Sequence, residues 1–418
     1  MTLLLLAAAF PRLMVFLLAA NRPEACLTSD AYGYLGLAKN LWTYHAFGHG
    51  TPPVLVPETF RLPGYPLFLA PFTALFESPV LWIAFAQCLL GILTVMWLWH
   101  WLRGVTNDRS ARVGALVLAV DWVIVFHTPM LIAETLVVFL QVLAMILTWR
   151  ALELQRGTEV TGSGLLWGLT LMVKPVFLYF PLVLCWIWSP RKKYIFRFLL
   201  AAYLIPGVWI LRNGATSNFW SLSSLPGFAL FDDLAAKVIA DATDRTWDSV
   251  RHDLRAQVDA KHPSGYRNDA ERSQVYAQEA VHILKRHPFV VVKVWLIGAA
   301  RMLGGTGFGL WHYYRPPAPQ QNPAFWLIPV QIVYGFGLGV LYLLSVWGCI
   351  KLWRMSRKKE AYFLAAGVTY ILLVASYPGM SRLRIPMMPF MAIAASFAVT
   401  KIPARGSDYR LGHDIKRS

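Results

Sequence analysis

The sequence predicts an all-α polytopic membrane protein, and three observations carry the prediction. Of its 418 residues 57% are hydrophobic and only 15% charged, with a mean hydropathy of +0.48. Apolar runs long enough to cross a bilayer recur along the chain. Basic residues gather in the short polar links between those runs. The formal charge of +17 could suit a nucleic acid, but the cations bracket apolar spans and build no continuous basic domain, so no nucleic-acid partner is expected. Cys26, Cys88, Cys185 and Cys349 are scattered singly, so neither a disulfide framework nor a zinc pattern follows from them.

Residues 2–20 are apolar apart from Arg12 and lack a basic leader, which predicts a retained first helix. Residues 21–78 form a first outer loop in which Tyr34, Leu37, Leu41 and Tyr44 recur at helical spacing, an amphipathic helix lying at the interface. After Tyr44 the Gly- and Pro-punctuated run is read as irregular. Spans follow at 79–102, 112–128 and 132–150. The stretch 164–189 is flanked by cations on both sides and interrupted by Lys174-Pro175, so it is read as a hairpin of two short helices with that dipeptide at its outer apex. A further span covers 194–211. Residues 288–304 are read as an interfacial or partly inserted helix whose Lys293 and Arg301 reach the headgroups. Spans at 325–350, 361–377 and 385–400 complete about ten membrane helices.

Charge balance sets the sidedness. The region 212–287 holds ten basic and ten acidic residues, and the first loop three and four; the rest of the chain holds 26 basic against 8 acidic. Both loops therefore share the outer side, and the C-terminus is cytoplasmic. The expected organisation is a transmembrane module over 1–211, an outer loop region over 212–324, and C-terminal membrane helices with a basic tail over 325–418.

With that topology the chemistry-bearing residues converge on one face: Asp30 in the first loop, Arg61 and Tyr65 in the corner Arg61-Leu-Pro-Gly-Tyr65-Pro, Glu134 at the outer end of the fourth helix, Lys174 at the hairpin apex, Arg212 at the end of the 194–211 span, and Arg382 and Arg384 before the last. Carboxylates and cations around a membrane-bounded cavity suit transfer from a lipid-phosphate donor. Fixed cations stabilise the charge that grows on the departing phosphate. The acceptor hydroxyl needs a positioned carboxylate to take its proton. Each residue has a plainer reading beside this one. Asp30 would serve as a helix cap, Glu134 would complement a helix dipole, and the arginines would anchor headgroups. Arg12 and Asp121 fall inside spans and are read either as a pair or as lying nearer a helix end. His45 and His49 stand four apart, but Gly48 and Gly50 argue against a helix aligning them on one metal.

The order of Asp30-Ala-Tyr-Gly-Tyr, Arg61-Leu-Pro-Gly-Tyr-Pro, Pro129 with Ala133-Glu134, Gly168-Leu-Thr-Leu-Met-Val-Lys174-Pro, and Arg382-Leu-Arg384-Ile-Pro resembles the GT-C superfamily of membrane glycosyltransferases. The likeness is to the family 39 type, which includes protein O-mannosyltransferases and lipid A aminoarabinose transferases. The resemblance implies a bacterial inner-membrane enzyme that passes a sugar from a polyprenyl-phosphate carrier to a glycan, lipid or protein acceptor on the periplasmic side. It carries the catalytic base onto Asp30 and the phosphate-holding cations onto Arg61, Lys174 and Arg384. Where many relatives have a second acid, this chain has Ala31, so a metal held by an adjacent acidic pair is not favoured and no cofactor is expected. Two other classes stay open: a lipid-linked oligosaccharide polymerase or ligase, in which the first-loop acid would be incidental, and a transporter, which would show paired halves with broken helices.

Overall fold

The computed structural model describes residues 1–188, 191–307 and 327–401. Helix α1 (Thr2–Ala20) leads through a short turn into α2 (Ser29–Tyr44), which ends on His45 in the left-handed conformation. Strands β1 (Gly48–Thr51) and β2 (Val54–Pro57) then pair antiparallel, Gly48 opposite Pro57. The stretch expected to be irregular is thus a hairpin. Asn40 of α2 pins it by donating to the carbonyls of Gly48 and Gly50. A short apolar helix, α3 (Gly64–Leu75), packs on α2 and closes the first loop.

Next come α4 (Val80–Val105), α5 (Asp108–Val120) and α6 (Trp122–His127). The span expected over 112–128 is broken at Asp121, whose side chain accepts from Ile124 N–H and so caps α6, while its other oxygen accepts from the hydroxyl of Tyr334. Arg12 does not form an ion pair with Asp121; it donates to the carbonyls of Ala8, Leu118 and Ala119. Helix α7 (Glu134–Leu154) and α8 (Gly157–Val173) run antiparallel. At the end of α8, Lys174 is extended (φ −144°, ψ 119°), as the following proline requires, and α9 (Phe180–Trp188) turns back, the expected hairpin. Helix α10 (Lys192–Ser217) lies against α8, with Gly164 and Gly168 meeting the backbone around Ala202.

The extramembrane region begins with α11 (Leu225–Phe228), which runs through a π-helical segment, Ala229–Ala235, into α12 (Ala236–Thr243). Then come α13 (Trp247–Ala260) and α14 (Asp269–Arg286), whose apolar faces form small cores around Phe231, Tyr276 and Val250. Helix α15 (Pro288–Gly304) departs from α14 at 104°. Lys293 of α15 pairs with Asp241, and Arg301 lines a cavity. Helices α16 (Leu327–Arg354), α17 (Lys358–Ala375) and α18 (Met388–Val399) complete the chain, α18 preceded by a 3₁₀ turn over Ser381–Met387. The basic tail beyond Lys401 lies outside the described residues.

Helix α18 is apolar on every side and packs against α5, α16 and α17, so it sits inside the bundle. One apolar core draws on both ends of the chain, from Leu4 to Phe397. Among the described residues six helices are long and apolar enough to cross a membrane, seven if the bent α14–α15 pair is one span. Several other pieces, such as α8 and α9, are shorter than a full crossing requires. The chain is a multi-pass membrane protein.

Candidate active site

Four segments distant in sequence meet at one end of the bundle. Asp30 lies in the first turn of α2, but Thr28 takes the cap position and no side chain caps the helix, so the capping reading of Asp30 does not hold. Its carboxylate instead faces two guanidiniums: Arg61 Nη2 is 3.6 Å from Oδ1 and Arg382 Nη1 is 3.7 Å from Oδ2. Glu134, the first residue of α7, accepts from Lys174 Nζ at 2.9 Å and lies 3.3 Å from Arg382 Nε. Arg382 therefore stands between the two acids. These five side chains line one cavity of about 280 Å³, walled by Tyr34, Phe60, Leu62 and Leu383.

The two carboxylates differ in setting. The Asp30 side chain is 40% exposed and its partners are distant, whereas Glu134 is 6% exposed and tightly held. With both acids ionised and three cations present, the cluster carries one net positive charge, an arrangement that favours an anion in the cavity. A second, larger cavity of about 910 Å³ adjoins the first; Asp30 and Arg382 line both, and Arg301, His127, Ser29 and Ser381 line the second. Burial first, then the charges of Glu134 and Asp30, push the Tyr34 phenol well up, so it remains protonated.

The remaining sequence candidates are placed elsewhere. Arg384 is 1% exposed and donates to the carbonyls of Met302, Leu303 and Gly305 and to the Tyr334 hydroxyl. These bonds tie the 381–387 turn to the end of α15 and to α16, and Arg384 is not among the side chains lining the cavity of Asp30 and Glu134. Arg212 donates to the carbonyls of Phe47 and Glu58 and stacks on Trp209, clamping the first loop to α10 instead of facing the cavity. Tyr65 is fully buried and donates to Gln87 Oε1 at 2.8 Å; Gln87 in turn donates to the carbonyls of Thr128 and Met130. Tyr65 thus supports the turn that delivers Glu134 and does not line the cavity. His45 and His49 do not converge; His49 pairs with Glu58 at 2.5 Å. Among the described residues no three His, Cys, Asp or Glu side chains are grouped as for a metal.

Two positions carried no sequence signal. Glu58 is an isolated acid in a loop, yet its side chain is buried and accepts from the N–H groups of Phe60 and Arg61. Gly33 sits under the Arg61 guanidinium, where a Cβ would stand 2.5 Å from Cζ. Spacing does not reveal either contact, because both depend on the 57–61 turn folding over α2.

A family model described as dolichyl-phosphate-mannose-protein mannosyltransferase matches residues 57–211, a stretch that includes Arg61, Glu134 and Lys174. No curated protein matches the chain. Among solved structures, the archaeal oligosaccharyltransferase AglB from Archaeoglobus fulgidus, in complex with an inhibitory peptide and a dolichol-phosphate, is 15% identical with a TM-score of 0.46, covering 93% of this chain and 50% of that one. The oligosaccharyltransferase of the same organism tethered with an acceptor peptide containing the NVT sequon is 13% identical with a TM-score of 0.48, covering 93% and 49%. Its complex with Zn and sulfate is 14% identical with a TM-score of 0.48, covering 94% and 48%. The chain thus spans about half the length of these enzymes. The family match falls on the stretch that carries the Arg61 corner, the head of α7 and the Lys174-Pro175 hairpin.

Proposed function

We propose that the chain is an inverting glycosyltransferase that moves a sugar from a polyprenyl-phosphate carrier to an acceptor hydroxyl on the outer face of a bacterial inner membrane. The observation that carries this reading is the single cavity in which Asp30 and Glu134 share Arg382, with Lys174 and Arg61 on the same wall. Asp30 is the general base: it is the accessible, loosely paired acid, and it borders both cavities, so an acceptor in the larger one reaches it. Glu134 acts through its partners, holding Lys174 and Arg382 in place. Arg61, Lys174 and Arg382 receive the phosphate, whose charge grows as the glycosidic bond breaks; fixed cations in a site walled by apolar side chains stabilise that charge without reorganising. Attack from the face opposite the phosphate inverts the anomeric centre.

The outward orientation rests on charge. Arg103, Arg112, Lys192, Lys193, Lys351, Arg354 and Lys359 lie at helix ends opposite the cavity, as cytoplasmic ends require. With Ala31 beside Asp30 the mechanism is written without a divalent metal. The test is transfer by purified protein from a panel of polyprenyl-phosphate sugars, with Asp30→Asn beside the wild type. Turnover abolished and donor binding retained is expected; unchanged turnover removes Asp30 from the role of base.

A further inference from the structure

The turn at residues 58–61 is fastened from several directions. Glu58 N–H donates to the Phe47 carbonyl at 3.2 Å, and Ser224 N–H to the Thr59 carbonyl at 2.9 Å. Arg212 Nη1 donates to the Glu58 carbonyl and Ser223 Oγ to the Phe60 carbonyl, each at 2.6 Å. Inside this frame the Glu58 side chain, 1% exposed, folds back on its own turn. Its Oε1 accepts from Phe60 N–H at 2.5 Å and Arg61 N–H at 3.1 Å, and its Oε2 lies 2.5 Å from His49 Nε2. Burying a carboxylate costs several kcal/mol unless its oxygens are satisfied, and here one oxygen is satisfied by the peptide groups that carry Arg61 and the other by His49.

The Arg61 guanidinium, by contrast, makes no hydrogen bond among the described residues. Its Nε is buried without a partner, the Asp30 oxygen stands at 3.6 Å, and the group lies over the rings of Tyr34 and Phe60 at 5.3 and 5.4 Å. A side chain with five donors and no bond of its own is aimed by its backbone and its packing. The Arg61 side chain lines the cavity, and a guanidinium suits two oxygens of a phosphate.

We propose that Glu58 is a positioning residue for the donor phosphate: by holding the Phe60 and Arg61 peptide groups it presents the Arg61 guanidinium to the cavity before the donor arrives. The inference rests on the glycosyltransferase reading for the identity of the anion, but not for the geometry. Glu58 does not itself serve as a base, since its side chain is buried and already accepts from several donors. Ordering Arg61 in advance removes part of the entropic cost of binding, so the effect falls on donor affinity.

Two readouts test it. Phenylglyoxal labelling of Arg61, read by mass spectrometry with and without decaprenyl phosphate, reports the guanidinium's exposure without reference to catalysis. Donor KM and kcat with the best sugar of the panel report its use. Glu58→Ala is expected to raise Arg61 labelling, to lose protection by decaprenyl phosphate, and to raise donor KM about tenfold with kcat within about twofold of wild type. Glu58→Gln, which keeps a carbonyl oxygen for the two peptide groups, restores most of the affinity. Should Glu58→Ala fail to accumulate, Glu58→Asp, which shortens the reach, takes its place with the same expectation for labelling. Wild-type labelling and wild-type donor KM in the Ala or Asp variant overturn the proposal, as does an equal fall of kcat. If the wild type transfers no sugar from any donor, the transferase reading fails and the labelling alone decides the role of Glu58.

Discussion

Gly33 lies directly beneath the guanidinium of Arg61, so close that a methyl group on it would stand 2.5 Å from Arg61 Cζ and 2.8 Å from each terminal nitrogen. Replacing Gly33 by alanine in the middle of α2 favours the helix by roughly 0.5–1 kcal/mol. The same methyl must displace Arg61. Gly33→Ala is therefore expected to melt no earlier than wild type while its donor KM rises about tenfold. Thermal unfolding in detergent and donor titration check the two halves; a donor KM unchanged in Gly33→Ala would show that Arg61 does not meet the phosphate.

Glu134 and Lys174 form an ion pair across forty residues of sequence, with side chains 6% and 16% exposed. Removing Glu134 leaves Lys174 without its partner, at a cost of up to about 3–5 kcal/mol, whereas removing Lys174 leaves Glu134 its contact with Arg382 and costs less. Glu134→Ala and Lys174→Ala should each lower the melting temperature, and the double variant should lose less than the sum of the two. A coupling near zero in that cycle would mean that the pair is not formed.

Arg382 faces both acids, so its loss touches base and phosphate together. Arg382→Ala is expected to reduce kcat/KM by about 10²–10³ for the donor, the magnitude seen when one aimed donor is removed from a charged transition state. Arg384→Ala should behave differently. It strands three backbone carbonyls, so the protein melts earlier, but the fraction that remains folded keeps its donor KM. A weakened donor KM in a stable Arg384→Lys protein would return Arg384 to the phosphate.

The pairing of His49 with Glu58 predicts a pH window. The hydrogen bond to Glu58 holds His49 above its ordinary value. Burial by itself would raise Glu58, but His49 and the Arg61 and Phe60 N–H groups hold it below its ordinary value. The raised histidine contributes stability that is full below its unfolded value of about 6.5 and lost as pH rises through the folded one. The lowered glutamate contributes stability present above its unfolded value of about 4.3 and lost as pH falls through the folded one. The melting-temperature gap between wild type and His49→Ala should thus be widest between about pH 4.3 and 6.5 and narrow towards about pH 9. An equal gap at both ends of that range would contradict the pairing.

Metal dependence is checked by chelation. Transfer is expected to continue in excess chelator; activity lost there and restored by added magnesium or manganese would place a divalent ion in the mechanism.

The sequence by itself determined the membrane class, the hairpin at Lys174-Pro175, the helix that starts beside Asp30 and the position of Glu134 at the head of α7, because hydropathy, proline geometry and helix periodicity are local and act within one or two turns. It also named the cations that gather around the two acids. Only the tertiary structure decided which of them turn inward to the cavity. Arg61, Lys174 and Arg382 keep donors for a ligand, whereas Arg384 and Arg212 spend theirs on backbone carbonyls of neighbouring segments. An arginine near a helix end reads the same in either role, since the carbonyls it meets come from segments more than seventy residues away. Glu58 and Gly33 were hidden for the same reason. Their roles arise where a turn, a hairpin and a helix are folded against one another, and a contact made across folded segments leaves no period in the chain that makes it.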